Sequence, residues 1–265
     1  MNNIPIFDSL THPTLTGDWI MPRYPNKSIL ENMLDEMSLN NIFKAFAVGM
    51  KGIGGYDEQK YVNFILSKTD KFIPIAFFDV TQIASEQDII VRIEELKKMN
   101  YKGIKLHPRI GGFDLRNKYL PLIVKIANKE GLSVLLCTYF YSNAEKSHIN
   151  SADNLIRLLE HISEERIVLL HGGGVNLLTY MEIARAFTNV LLDLSLTFCK
   201  YEGSSIDLDL KFMFESFDRR ICIGSDYPEF GFFNLRERFE YFSENINDEK
   251  LENIAWRNLS NYIKF

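Results

Sequence analysis

Short apolar runs alternate along this chain with longer stretches whose apolar residues recur every three or four positions. The runs are IPIFD (4–8), FKAFAVG (43–49), FIPIAFFD (72–79), YKGIKLH (101–107), LSVLLCT (132–138), RIVLLH (166–171), VLLDLS (190–195) and ICIGSD (221–226). Most are apolar at consecutive positions, the pattern of parallel strands covered on both faces. The longer stretches read as amphipathic helices. Ser28 with Glu31 makes a capping-box pattern ahead of Leu30, Met33, Leu34 and Met37. Ser85 opens a second stripe through Ile89, Ile93 and Leu96, and Ser151 a third through Leu155, Leu158, Leu159 and Ile162. Lys118–Glu130 runs into Gly131, a helix-ending glycine. GIGGYD (52–57) reads as a loop. No linker, low-complexity tract or internal repeat interrupts the alternation, so residues 1–265 read as one domain. Eight strands, each followed by a helix, in about 250 residues predict a (β/α)₈ TIM barrel. A doubly wound open sheet competes, but no glycine-rich dinucleotide fingerprint follows the first strand.

Composition narrows the function classes. The 265 residues carry 30 Lys and Arg against 35 Asp and Glu, a net charge of −5. With no basic run, the chain is a poor match for nucleic acid or an anionic membrane. No stretch reaches 18 consecutive apolar residues. The start, MNNIPIFDSLTHP, has neither a basic region nor a long apolar one, so no export signal is expected. Cys137, Cys199 and Cys222 are odd in number and scattered, which argues against a disulfide framework and for a reducing cytoplasm. The expected partner is a small-molecule substrate. A homo-oligomer stays open.

Barrel enzymes place their working groups at the C-terminal ends of the strands, so those ends are read in order. They carry Asp8 and His12 after the first strand, Asp79 after the third, and Lys105 and His107 on the fourth. Cys137 ends the fifth, His171 the sixth, Ser195 the seventh and Asp226 the eighth. Strand alternation puts Gly103, Lys105 and His107 on one face, likewise Leu135 with Cys137, Leu169 with His171, and Cys222, Gly224 and Asp226. A polar group on each inward face at the same end is hard to explain as core. Each has a blander reading. Asp8 or Asp79 can cap a turn, Lys105 can pair with a carboxylate, and Cys137 can be a small buried hydrophobe. The glycines of HGGG (171–174) either expose backbone N–H groups to an anion or simply make a tight turn. His148 and His161 fall in a polar loop and on a helix, away from the strand ends, and the aromatics of TYFYS (138–142) and Trp19 read as packing.

Taken together these pieces resemble the amidohydrolase superfamily, in its amidohydrolase-related ("amidohydrolase 2") branch. The resemblance spans nearly the whole chain: FDSLTH at the first strand, GIKLHP at the fourth, VLLCT at the fifth, IVLLHGGG at the sixth, IGSDYP at the eighth, and the ending ENIAWRNLSNYIKF. The branch implies a metal-dependent barrel hydrolase or decarboxylase whose first strand ends Asp-x-His-x-His. Here the matching residues are Asp8, Leu10 and His12, and Cys137 stands where the fifth strand normally supplies histidine. The resemblance therefore implies His12, Cys137, His171 and Asp226 as a zinc set, or a site that has given up metal. It implies Asp226 as general base and His171 as the group that orients water or stabilises negative charge. Lys105 would meet a substrate carboxylate or polarise a carbonyl, with His107 and Arg109 beside it as substrate-binding groups. The expectation is a hydrolase acting on a small carboxylate-bearing molecule. Decarboxylation, lactone opening, or a barrel that binds without turnover remain as rivals. A nuclease is disfavoured by the acidic balance.

Overall fold

The computed structural model describes residues 3–20, 28–140 and 151–263. Eight parallel strands follow one another round a ring in chain order. They are β1 (Ile6–Thr11), β2 (Ile42–Val48), β3 (Phe72–Phe77), β4 (Gly103–Leu106), β5 (Ser133–Cys137), β6 (Ile167–Leu170), β7 (Val190–Asp193) and β8 (Ile221–Cys222). After each comes a main helix: α1 (Leu30–Leu39), α2 (Glu58–Lys68), α3 (Glu86–Lys98), α4 (Leu120–Lys129), α5 (Ala152–Glu160), α6 (Leu177–Ala186), α7 (Ile206–Ser216) and α8 (Phe232–Phe242). This is the (β/α)₈ barrel the periodicity predicts. Among the described residues no helix is long and apolar enough to cross a membrane.

Local sequence explains most element ends. Ser85 accepts from Asp88 N–H and the Asp88 carboxylate answers the Ser85 N–H, a reciprocal cap on α3. Ser151 caps α5 in the same way on its Oγ side, through Asn154 N–H. The Ser28 and Glu31 cap does not form: α1 starts at Leu30 behind an extended Ile29 with no side-chain cap. The Ser28 hydroxyl is buried instead.

Two apolar layers hold the barrel. Outward strand residues such as Ala45, Ala76, Ile104, Leu136, Leu169 and Leu192 pack against the helices. Inward ones, Phe7, Phe46, Ile75, Leu135, Val168, Leu191 and Cys222, fill the ring together with Leu259 and Ile263 from the C-terminal segment. That segment is anchored under the strands' N-terminal ends. The Asn258 amide donates to the Ile221 carbonyl, and the Tyr262 hydroxyl bonds both backbone groups of Ile167. The opposite end of the ring is left for polar side chains.

Two irregularities shape that polar end. In β1, Asp8 pairs with Ala45 but Thr11 with Ala47, so β1 carries one extra residue, a bulge next to the site. In β6 the sequence reading put Leu169 and His171 on the same inward face. The structure turns Leu169 outward and Val168 and Leu170 inward. His171 still reaches the mouth because its backbone leaves the strand at φ 71° and breaks the alternation.

Candidate functional site

Three groups meet at the C-terminal end of the ring. His12, past the β1 bulge, donates from Nδ1 to the Val48 carbonyl at 2.8 Å, which leaves a lone pair on Nε2. The Lys105 ammonium lies 3.4 Å from that Nε2, and Asp226 Oδ1 lies 3.3 Å from it. Trp19 stacks on the His12 ring at 4.7 Å, and its indole N–H donates to Glu229. All three site groups are buried. Burial, then the positive charge of Lys105, pushes His12 down to about 4, so the ring is neutral at pH 7. Burial lowers Lys105 below the usual lysine range despite Asp226. For Asp226 burial works against ionisation, but His171 and Lys105 outweigh it and hold the carboxylate well below its ordinary range.

A second cluster adjoins the first. Cys137 at the end of β5 is hydrogen-bonded by both His107 and His171. His107 follows β4, and its Nδ1 accepts the Ile110 N–H at 3.4 Å, capping the short turn Pro108–Gly111. His171 is held by its other nitrogen: Nδ1 lies 3.1 Å from the Ser195 carbonyl and 3.2 Å from Ser195 Oγ. Burial opposes ionisation of the thiol, yet the two imidazoles more than offset it and hold Cys137 well below the usual thiol range. Burial lowers His107 below the ordinary imidazole range, whereas for His171 the Cys137 sulfur and Asp226 outweigh burial and raise it.

The sequence reading missed the residue that braces this layer. Asp193, at the end of β7, is fully buried. One of its oxygens accepts the backbone N–H groups of His171 and Ser195 at 3.1 Å each, and also the Ser195 hydroxyl. The other accepts the Ser9 hydroxyl. Asp193 thus fixes both the left-handed backbone of His171 and the serine beside its ring. The signal was present: Leu191, Asp193 and Ser195 alternate on one face of VLLDLS.

Arg109 sits at the rim, its guanidinium 5.5 Å from the centre of the Tyr139 ring, and the Lys200 ammonium is 5.1 Å from that ring. Tyr139 meets His171 edge-on at 6.2 Å. The remaining strand-end residues have other work. Asp79 caps the turn Val80–Gln82 through Thr81 N–H and pairs with Lys51 at 2.5 Å. Asp8 fastens β1 to the segment after β8, accepting from Leu10 N–H and from Ser225 N–H and hydroxyl. HGGG makes a tight turn. Gly172, Gly173 and Gly174 all have φ between 56° and 72°, and a Cβ on Gly173 would lie 2.1 Å from the Tyr180 ring. The Gly173 N–H is taken by Thr138. His161 caps the end of α5, while His148 and the end of TYFYS lie outside the described residues.

The zinc set does not fit an ion in this arrangement. Leu10 lies in the inner apolar cluster, Lys105 stands at the free nitrogen of His12, and Cys137 is engaged by two imidazoles. Among the described residues no group of three or more His, Cys, Asp or Glu side chains is placed to hold a metal. His12, Cys137, His171 and Asp226 are divided here between two hydrogen-bonded clusters, one centred on Lys105 and one on Cys137.

The family model described as Amidohydrolase matches residues 11–258. Comparison with curated proteins returns no match. Among solved structures, an uncharacterised TIM-barrel protein from Bordetella bronchiseptica superposes with a TM-score of 0.81 at 16% identity, covering 98% of each chain. A 5-carboxyvanillate decarboxylase from Novosphingobium aromaticivorans, complexed with manganese and a nitrobenzoic acid, gives 0.64 at 12% identity over 98% of this chain and 96% of its own. A dihydroorotase from Campylobacter jejuni gives 0.65 at 16% identity over 99% and 84%. At these identities the likeness is one of fold.

Proposed function

The chain belongs to the amidohydrolase family, and from that premise we propose that it is an enzyme hydrolysing a small carboxylate-bearing molecule at the barrel mouth. One observation carries the reading: a lysine ammonium, a neutral imidazole and an ionised carboxylate converge within 3.4 Å, all buried at the strand ends. Burying such charges costs free energy that no packing need of the barrel explains.

Lys105 is the anion anchor, with Arg109 and His107 as the neighbouring substrate contacts. Asp226 is the general base. Bare, it is held too acidic to draw a proton readily, because His171 and Lys105 stabilise its charge. Once a substrate carboxylate engages Lys105, that stabilisation is shared and Asp226 becomes the stronger base where water must be deprotonated. His171, braced by Asp193 and Ser195, faces the developing negative charge as a donor. The decarboxylase among the structural neighbours supplies the second reading, in which the carboxylate on Lys105 leaves as carbon dioxide.

The test is a panel of small organic acids bearing an amide, a lactone or an aromatic carboxylate, incubated with the protein in chelated and metal-supplemented buffer. New carboxylic acid supports hydrolysis. Carbon dioxide supports the second reading. No turnover with any of them, alongside binding of the same acids, makes the barrel a binder without chemistry.

A further inference from the structure

The proposed hydrolysis leaves one reactive group unused. Cys137 sits on the inward face at the end of β5, with an imidazole on either side hydrogen-bonded to its sulfur. The surroundings of those rings fix where their protons lie. His107 Nδ1 accepts the Ile110 N–H, so a neutral His107 carries its proton on Nε2. His171 Nδ1 faces the Ser195 carbonyl, which can only accept, so Nδ1 carries a proton and the other ring nitrogen is free to exchange one with the thiol. Asp193 and Ser195 hold that second ring in place. A thiol beside a base that is itself oriented by a third group is the arrangement nucleophilic catalysis needs.

From this geometry we infer that Cys137 is the nucleophile of a covalent, two-step hydrolysis, with His171 and His107 as its proton partners. The inference rests on the reading of the mouth as a hydrolase site and deepens it. In the first step the sulfur attacks the substrate's acyl carbon, a C–S bond forms and the carbonyl electron pair moves to oxygen. Collapse of the adduct breaks the C–N or C–O bond, and the departing nitrogen or oxygen takes the proton that the imidazole received from the thiol. In the second step water attacks the thioester, aided by Asp226, and sulfur leaves as thiolate while the acid product departs. No oxidant or other co-reactant is needed.

The chain supplies its own controls. Cys199 and Cys222 are buried as well, but among the described residues no imidazole acts on either thiol. Cys222 lies in the same ring one layer below, 3.8 Å from an Asp193 oxygen. Burial and the nearby carboxylate raise Cys222, and burial raises Cys199, both above the ordinary thiol range.

Two measurements on the intact chain decide the matter. The folded protein is treated with iodoacetamide and the three cysteines are followed by peptide mass spectrometry. Cys137 is expected to be alkylated at least about tenfold faster than either other cysteine, and His107→Gln to slow it. A Cys137 no faster than Cys199 or Cys222 overturns the inference, since a thiol closed to this reagent is closed to a substrate carbonyl. The second measurement uses p-nitrophenyl acetate as acyl donor. A burst of one nitrophenolate per chain, with a hydroxylamine-labile acetyl group on Cys137, supports the thioester. A burst that survives in a folded Cys137→Ala chain overturns it. The two readings fail separately. An inert Cys137 with acid binding lost in Lys105→Met removes the thioester and leaves the hydrolase site. A reactive Cys137 with acid binding unchanged in that variant removes the Lys105 anchor.

Discussion

At the N-terminal end of the strands the barrel interior is closed by Leu259 and Ile263 packed on Phe7, Ile73 and Leu191. At the other end the same strands present Lys105, His107, Cys137, His171, Asp193 and Asp226, equally buried. In the lower end burial itself stabilises, and its side chains are exchangeable for others of the same volume. In the upper end burial opposes every charge, and each group stays in its ionic state only through a named partner. Similar depth therefore means opposite things for mutation. Below, losing a side chain costs the fold. Above, on the function proposed, it costs the chemistry.

The largest effect expected from breaking this contrast comes from below. Leu259→Ala should lower unfolding free energy by about 2–5 kcal/mol, read from urea denaturation, with the relative cysteine alkylation rates unchanged. Next comes Asp8, at the seam between the halves. Burial pushes it up to about 7, with Asp193 adding to the rise, so the folded state holds its proton more tightly than the unfolded chain. Its contribution to stability is complete below the ordinary carboxylate range near 3.8 and is lost as pH rises through about 7. Asp8→Asn should remove that fall, a change in slope of up to about 1.4 kcal/mol per pH unit in thermal or urea unfolding. A variant with the wild-type slope would show that another group carries it.

Lys105→Met tests the upper end directly. Binding of carboxylate ligands should weaken by about 2–3 kcal/mol in calorimetry. The melting temperature should hold or rise, because an inward charge is gone. A large loss of melting temperature with affinity intact would make Lys105 a structural residue of the lower kind. The smallest change concerns Leu10, where the apolar lining reaches up to the mouth. Leu10→His with Cys137→His should raise zinc affinity by at least about tenfold over wild type, measured by mass spectrometry of metal content after identical purification. A wild-type chain that already carries one tightly held ion would contradict the displacement of metal by Lys105.

The strands and the barrel were legible because consecutive apolar residues and helical stripes report burial on one or two faces, a local property. Period-two alternation likewise placed Lys105, His107 and Cys137 on inward faces, as observed. It failed at β6, where a left-handed residue at His171 replaces the pleat, and no pattern of side-chain types announces that. The role of Asp193 was written in the alternation of VLLDLS but passed over in favour of Ser195, which is one of its hydrogen-bond partners. The hydrogen bond from Trp19 to Glu229 and the clamp of His107 and His171 on Cys137 join separate βα units. Such pairings are set by the closed ring and leave no mark within a sequence window.

The ring itself has a seam, and the proposed site straddles it. The segment just past β8 meets β1 and the residue after it through Ser9 N–H to the Ile223 carbonyl, Asp226 N–H to the Leu10 carbonyl and His12 N–H to the Tyr227 carbonyl. These bonds join positions more than two hundred residues apart, as does the Ser9 hydroxyl to Ile223. Contacts of such separation are slow to form, because a long loop must be ordered before they reward it. The pairing of His12 with Asp226 lies across the same seam. During synthesis the first seven strands can gather into a curved sheet while both of those side chains remain apart. If the proposed site binds its ligand only when both are in place, ligand binding would serve as a clock for the docking of the eighth strand.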